Sequence, residues 1–448
     1  MSLPPGSRAP SFVQMLQWLR SPGESLEASF RRFGETFTIN SPVFGTEVIV
    51  TRPDTLKQVF TGDPDVLHAG EGNSFLATIV GERSVLLLDG KAHLRQRRLM
   101  LPAFHGERMQ HYVETMRDVT AQTITRWGAG ERVGMHTVMQ RVTMDIILRA
   151  VLGLEAEHEI APVRHQLTRL LDRTQSRSGM LWLMPALQKD LGPLTPWASI
   201  RDLLEETDAL LLAHIARRRE RDASRRADDV LQMLLEAVDD EGQKMTDREL
   251  RDELMTLLLA GHETTATSIA WAFEEILRVP GEQERLAAEV LAVTGGAPLL
   301  AEHLPRLERL DSVIKETLRL HPVTAAVARR LKKPLTLEGY DLAPGVMIVP
   351  CMYLTHRRPE LYPDPDRFNP TRFIGKKPDP YEWLPFGGGS RRCLGMVFAL
   401  QEMKVVIAQV LSSVRLRLAK PAPLETTLRS FVYAPKGGTC TVMEGKRS

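Results

Sequence analysis

The sequence predicts a mainly α-helical fold with a minor β region, assembled as one large domain over residues 1–448. Three observations carry this. Thr246 and Glu249 form a capping box that opens a helical segment, and Pro280 closes it about 33 residues later. Such a helix is about 50 Å long and spans a whole domain. Strand-like alternation is confined to short runs near the N-terminus, around residues 332–350, and at the C-terminus. Finally, 43% hydrophobic and 25% charged residues in 448 give ordinary globular composition with ample core. Length alone suggests about three domains. No Ser/Gly-rich linker, low-complexity tract or fixed-period repeat offers a place to divide the chain.

In chain order, residues 35–40 (ETFTIN) and 46–51 (TEVIVT) alternate as strands around a turn, and residues 51–60 (TRPDTLKQVF) read as a helix. Helical periodicity runs from Val113 to about Leu154 and from Ala161 to Asp172, and prolines and glycines interrupt it over residues 179–197. The long helix follows. Residues 332–350 (KKPLTLEGYDLAPGVMIVP) read as short strands turning at Gly339 and at Pro344-Gly345. An apolar helix begins after Cys393, and residues 414–419 (VRLRLA) with the C-terminal residues read as strands.

A net charge of +2 gives no general case for nucleic-acid binding. The basic run from Arg217 to Arg226 reads as a solvated loop between helices. Three cysteines without C-x-x-C spacing argue against a disulfide framework and against structural zinc. The N-terminus lacks the basic-then-apolar pattern of a secretory signal, and no apolar run reaches the length needed to cross a bilayer. A soluble, cytoplasmic protein without a transmembrane anchor is the expectation.

Chemistry concentrates at Cys393, in FGGGSRRCLG ahead of a helix. Backbone N–H groups and the dipole at a helix start favour an anion, so a thiolate is expected there. Glycines admit close approach of a flat cofactor. Arg391, two residues before the cysteine, suits a carboxylate on that cofactor. A thiolate offered to a planar, carboxylate-bearing group suggests haem iron; the bland alternative is a small buried hydrophobe. The string resembles the haem-ligand signature F-x-x-G-x-R-x-C-x-G of the cytochrome P-450 family, and Phe386, Gly389, Arg391, Cys393 and Gly395 fill its positions. The resemblance makes Cys393 the metal ligand and places Phe386, Gly387, Arg391 and Gly395 against haem b.

Three further constellations extend the resemblance over nearly the whole chain. Within the long helix, AGHETT resembles the family's oxygen-activation motif, which makes Glu263 and Thr264 the catalytic acid–alcohol pair and sets Ala260 and Gly261 beside the cofactor. A mid-helix glycine next to an acid and hydroxyls suggests a local opening of the helix. His262-Glu263 also invites a metalloprotease reading, but Ala266 stands where the second histidine is required. Glu316 and Arg319, an i, i+3 pair, join Arg372 of P-T-R-F in resembling the family's E-x-x-R helix and its later arginine. A buried charge network holding the cysteine loop is implied. His93 and Arg97 lie one turn apart in a stretch resembling the haem-propionate helix. Arg330 is a further propionate candidate, with Arg329 the alternative in a shifted register.

The resemblance implies a haem-thiolate monooxygenase of the soluble bacterial type, activating O2 and hydroxylating C–H bonds. The substrate pocket would draw on Phe75, Leu76, Ile79, Val80, Val323, Val327, Phe431 and Val432, with residues Gly179 to Pro185 as lid or packed loop. Small apolar walls favour a fatty acid or terpenoid. No fused reductase domain is expected, so electrons are expected from NAD(P)H through ferredoxin and ferredoxin reductase, or flavodoxin. Arg392 and Lys404 would face that partner, and the protein is expected to be a monomer. A peroxide-driven peroxygenase and a non-catalytic haem sensor are the alternatives, and the Glu263–Thr264 pair argues against both.

Overall fold

The structure is a computed structural model and describes residues 2–104, 108–175, 196–220, 229–420, 422, 425–429 and 432–447. In the first half, helices α1 (Ser11–Arg20), α2 (Pro22–Phe33), α3 (Pro53–Thr61), α4 (Ala77–Val80), α5 (Gly90–Met100) and α6 (Arg108–Ile124) are followed by α7 (Met135–Leu152) and α8 (Glu157–Gln175). The second half contributes α9 (Pro196–Glu220), α10 (Val230–Glu236), α11 (Asp247–Arg278), α12 (Glu282–Thr294), α13 (Glu308–Leu320), α14 (Met352–Thr355) and α15 (Met396–Ser413).

Strands β1 (Thr36–Ser41), β2 (Gly45–Val50), β3 (Leu67–His68), β5 (Arg329–Leu331) and β8 (Met347–Pro350) form one sheet in the order β1-β2-β8-β5-β3. The β1–β2 hairpin pairs Thr36 with Val50, and β2 runs parallel to β8 with Glu47 opposite Met347. Strand β4 (Arg132–Gly134) joins β12 (Cys440–Lys446) and β9 (Val414–Leu418) in a second sheet. Two hairpins complete the β region: β6 (Leu335–Leu337) with β7 (Tyr340–Leu342), and β10 (Thr426–Arg429) with β11 (Val432–Pro435).

Helix α11 is the axis of the molecule. Thr246 Oγ1 accepts from Glu249 N at 3.2 Å and Glu249 returns a bond to Thr246 N at 2.8 Å, closing the expected capping box. The helix ends at Arg278 because Pro280 disfavours helical backbone in the residue before it. Leu254, Ile269, Ala270, Phe273 and Ile276 are fully buried, because α11 has neighbours on nearly every side.

Four expectations change. The helical stretch 113–154 is two helices, α6 and α7, separated by a turn and by β4, which pairs with the C-terminal strand β12. A contact so distant in sequence leaves no local mark. Helix α11 does not open at Gly261 but remains α-helical throughout. The glycine instead admits α7, since a Cβ there would stand 2.4 Å from Ile147 Cδ1. Of the basic run, Arg218 is buried and bound to Asp229 at 2.8 Å; residues 221–228 lie outside the described set. Finally, α15 is long and apolar enough to cross a membrane by length and composition. It is half buried against other helices and carries the buried Glu402, as a core helix does.

Candidate active site

The loop before α15 is shaped by its glycines. Gly387 and Gly389 have φ of 65° and 64°, which a side chain disfavours. A Cβ on Gly389 would stand 1.9 Å from Phe60 O, so that glycine lets the loop press against α3. Gly387 and Gly395 instead border open space. Cys393 N donates to Phe386 O at 3.0 Å, folding the loop back over the cysteine. The Cys393 side chain is accessible although protein surrounds it closely. Burial therefore pushes its thiol up from the ordinary value, against the Gly395 N–H and the charges of Arg97 and Arg392. The lowered thiol expected from the helix start is not what the protein alone provides; desolvation outweighs the Gly395 N–H and the two guanidinium groups. The other two cysteines differ. Cys351 is fully buried and pushed up to about 12, and Cys440 lies in β12.

Along α11, Ala260 is exposed, and Leu257 and Thr264 are half-buried, among otherwise buried turns. Positions i, i+3 and i+7 share one helix face, so that face borders open space too. Thr264 Oγ1 donates to Ala260 O at 2.6 Å. Glu263, one position round the helix, points elsewhere and is 2% exposed. Gln140 Nε2 donates to its Oε2 at 2.7 Å, while His136 Nε2 and Arg429 Nε each stand 3.3 Å from Oε1. Burial raises the Glu263 carboxyl, but His136, His262 and Arg429 together hold it below its ordinary value.

A cationic group gathers around His93. Burial, with Arg391 and Arg97 beside it, lowers His93 to about 4, so it is neutral. Burial also lowers Arg391 and Arg329 to about 10 each. Asp89 is the carboxylate among these charges and bonds Arg391 at 2.6 Å. Three guanidinium groups against one carboxylate leave two positive charges in excess, partly desolvated. That excess fits a cofactor with two carboxylates, and the accessible sulfur and open glycines fit its face and its metal. Haem therefore suits the residues present.

One sequence assignment is corrected here. Strand alternation turns Arg329 towards His93 and Arg391. Arg330 faces the other way, pairing with His68 in register, donating to Gly345 O at 3.0 Å and approaching Glu71 at 3.8 Å. Arg329, not Arg330, joins the cationic group. Arg391, expected to meet a cofactor carboxylate, is engaged by Asp89 and by Val85 O at 3.1 Å. Asp89 also accepts from Ala69 N and Gly70 N, both at 2.9 Å, so the pair ties three segments together.

Behind the cysteine loop, Glu316 and Arg319 are both fully buried, with Nε–Oε2 at 2.7 Å and Nη2–Oε1 at 2.9 Å. Arg372 Nε donates to Glu316 Oε1 at 2.9 Å, and Arg319 Nη1 donates to His356 O at 2.8 Å and Pro365 O at 2.7 Å. Sequence reading missed His356. Its Nδ1 donates to Arg319 O at 3.1 Å and its Nε2 accepts from Leu384 N at 2.8 Å, joining α13 to the segment leading into Phe386. A lone histidine in T-H-R-R-P gives no hint of this.

The expected pocket residues divide. Phe75 and Leu76 are half-buried, with Phe75 packed edge-on against Phe44 at 5.7 Å. Ile79 and Val80 are buried, and Ile79 belongs to the main core. Val323 accepts at its carbonyl from Tyr433 N at 2.9 Å, which joins the 323–327 segment to β11 next to Val432. Phe431 and the stretch Gly179 to Pro185 lie outside the described residues. Lys404 is engaged by Asp311 at 2.6 Å, whereas Arg392 is half-exposed. A separate depression of about 910 Å3 reaches Val397, Gln401 and Lys404 of α15 and includes neither Cys393 nor Glu263.

Residues 3–442 match the family described as Cytochrome P450. The chain is similar to cytochrome P450 135B1 of Mycobacterium tuberculosis (strain ATCC 25618 / H37Rv), with 39% identity over 439 residues, 98% of this chain and 90% of that protein. It is also similar to cytochrome P450 135A1 of the same strain, at 35% over 440 residues, 97% of this chain and 94% of that one. Cytochrome P450 138 of that strain is 34% identical over 442 residues, 98% of this chain and 96% of that protein. Among solved structures, retinoic acid-bound cyanobacterial CYP120A1 is alike in fold, with a TM-score of 0.84 over 100% of both chains at 24% identity.

Proposed function

This chain belongs to the cytochrome P450 family and is a haem-dependent monooxygenase that needs electrons from redox partners; from that premise we propose that it hydroxylates a fatty acid or terpenoid with Cys393 as the iron ligand. The observation that carries the reading is the accessible Cys393 sulfur beside a cationic group with two charges in excess. When bound, the haem supplies the iron at which dioxygen is reduced, and the thiolate's electron density favours O–O cleavage.

The protein's own residues hold and shape that site. Cys393 anchors the cofactor through sulfur, with the Gly395 N–H tempering the charge on that sulfur. Arg97 and Arg329 meet the cofactor carboxylates, assisted by neutral His93, and Arg391 with Asp89 fixes the surrounding segments. Thr264 offers its hydroxyl on the open face of α11. Glu263 holds a proton route in reserve: it is buried beside Thr264, positioned by Gln140 and His136, and ionised near neutral pH. Leu257, Ala260, Val323 and Val432 keep water from the apolar substrate.

We assign the electron source to a ferredoxin fed from NAD(P)H, docking near half-exposed Arg392, and take the protein to act as a monomer. The decisive measurement is the carbon monoxide difference spectrum of the reduced protein. A red-shifted Soret band in the wild type and its loss in Cys393→Ser are expected; a wild type without the band overturns the reading. Charge reversal in Arg392→Glu should slow first-electron transfer with haem content unchanged, and an unaltered rate would remove the docking assignment.

A further inference from the structure

Glu263 is held by three side chains, and one is unlike the others. Gln140 and His136 come from α7, where His136 is buried and Gln140 partly so. His136 also meets Thr267 Oγ1 at 3.1 Å. Arg429 comes from the end of β10, and its side chain is 37% exposed. Among the described residues, Glu263 is its ion-pair partner and no hydrogen bond engages its terminal amino groups. The pair is loose: Nε lies 3.3 Å from Glu263 Oε1, an oxygen that is buried yet has no aligned hydrogen bond.

The place of this guanidinium matters as much as its freedom. Arg429 pairs directly with Val432 across the hairpin. The next residue of β11, Tyr433, donates to Val323 O at 2.9 Å. Arg429 therefore stands where α11, the hairpin and the 323–327 segment converge, and these segments carry the proposed apolar walls. A guanidinium whose terminal amino groups no described residue engages, beside the proposed apolar walls, is suited to a planar carboxylate, which it meets through two parallel N–H bonds.

We propose that Arg429 anchors the carboxylate of an apolar carboxylic acid substrate, and that this carboxylate competes with Glu263 for the guanidinium. The proposal rests on the monooxygenase reading and narrows its substrate to acids. When an acid binds, Glu263 loses one of its three holders and remains with Gln140 and His136. Glu263, the carboxylate that serves proton delivery, is thus freed from Arg429 as the substrate arrives. A ligand without a carboxylate leaves the Arg429–Glu263 pair intact.

Calorimetric titration of the haem-loaded protein with decanoate, decanol, geranate and geraniol tests this. Calorimetry reads affinity without reference to haem absorbance, and the straight and isoprenoid acids separate the two carbon skeletons. In Arg429→Gln, the bound acid should weaken by at least about tenfold, with the alcohols changed by less than about twofold. Glu263→Gln removes the competitor and should tighten the acid by about threefold or more, again sparing the alcohols. Arg429→Lys, which keeps the charge but loses the fork, should fall between wild type and Arg429→Gln. A wild type that binds neither acid overturns the proposal. So does equal loss of acid and alcohol in Arg429→Gln, the result expected if Arg429 only neutralises Glu263. The carbon monoxide spectrum of the same samples reports separately on the monooxygenase reading: a normal band with unchanged acid affinity rejects the anchor alone.

Discussion

Acidifying the medium from about pH 7 to about pH 5 should destabilise the protein by about 2 kcal/mol through His356 alone. Burial, with Arg319 and Arg357 close by, lowers this imidazole from 6.5 to about 3. Its two hydrogen bonds require the neutral form, with Nδ1 donating and Nε2 accepting. In the unfolded chain the same ring takes up a proton below its ordinary value. Between those two values the unfolded state binds the extra proton, so stability is present above 6.5 and declines as pH falls towards 3. At about pH 5 the gap to the unfolded value is about 1.5 units, or about 2 kcal/mol. His93 and His262, both lowered to about 4, add terms of the same sign, so the wild-type slope alone does not isolate His356. The variant His356→Gln can still donate and accept but does not titrate. It should cost about 1–2 kcal/mol near pH 7. Between about pH 7 and pH 5 it should lose about 2 kcal/mol less than wild type. Urea unfolding followed by tryptophan fluorescence at the two pH values measures this. Parallel pH dependence in both proteins would refute a neutral, doubly bonded His356.

The remaining predictions concern the same core. Arg319→Met leaves Glu316 buried with Arg372 as its surviving cation and strands two carbonyls, so it should cost about 3–5 kcal/mol and yield haem-poor protein. Urea midpoints and the haem-to-protein absorbance ratio check this, and near-wild-type values would show the network to be dispensable. Gly261→Ala drives a Cβ into Ile147 and should cost about 1–3 kcal/mol, with Ile147→Val in the same chain recovering part of the loss. Additive losses in the double variant would contradict the contact. Thr264→Ala removes the hydroxyl from the open face of α11 and should raise oxygen consumed per product formed while leaving stability within about 0.5 kcal/mol. Retained coupling would remove Thr264 from proton delivery.

What the sequence disclosed follows physical range. The capping box of α11, the stop before Pro280 and the β1–β2 hairpin depend on residues a few positions apart, and local chemistry announces them. Cys393 stands out because a glycine loop, an arginine and a helix start occur together in ten residues. The holders of Glu263 were not legible. His136, Gln140 and Arg429 lie more than a hundred positions from it along the chain, and none belongs to a motif. Arg329 and Arg330 differ only by which side of a three-residue strand each occupies, and that register is set by pairing with β3 and β8. Gly261 misled for a related reason: a glycine that admits a neighbouring helix looks the same in sequence as one that opens its own.

The β10–β11 hairpin is fastened at Tyr433, one pair from Arg429–Val432. Trp271 Nε1 donates to Tyr433 O at 3.0 Å, and its ring stacks on His321 at 3.9 Å. Tyr433 N is fixed to Val323 O. These attachments use backbone atoms of Tyr433, the Trp271 side chain and the Val323 carbonyl, and neither involves the Arg429 side chain. Such a division separates the fastening of the hairpin from the Arg429 side chain, so ligand preference can change by substitution at 429 at the cost of one holder of Glu263. For laboratory evolution it marks Arg429, whose side chain is partly exposed, as the position to randomise, with Trp271 and Tyr433 left untouched as the hairpin's sockets.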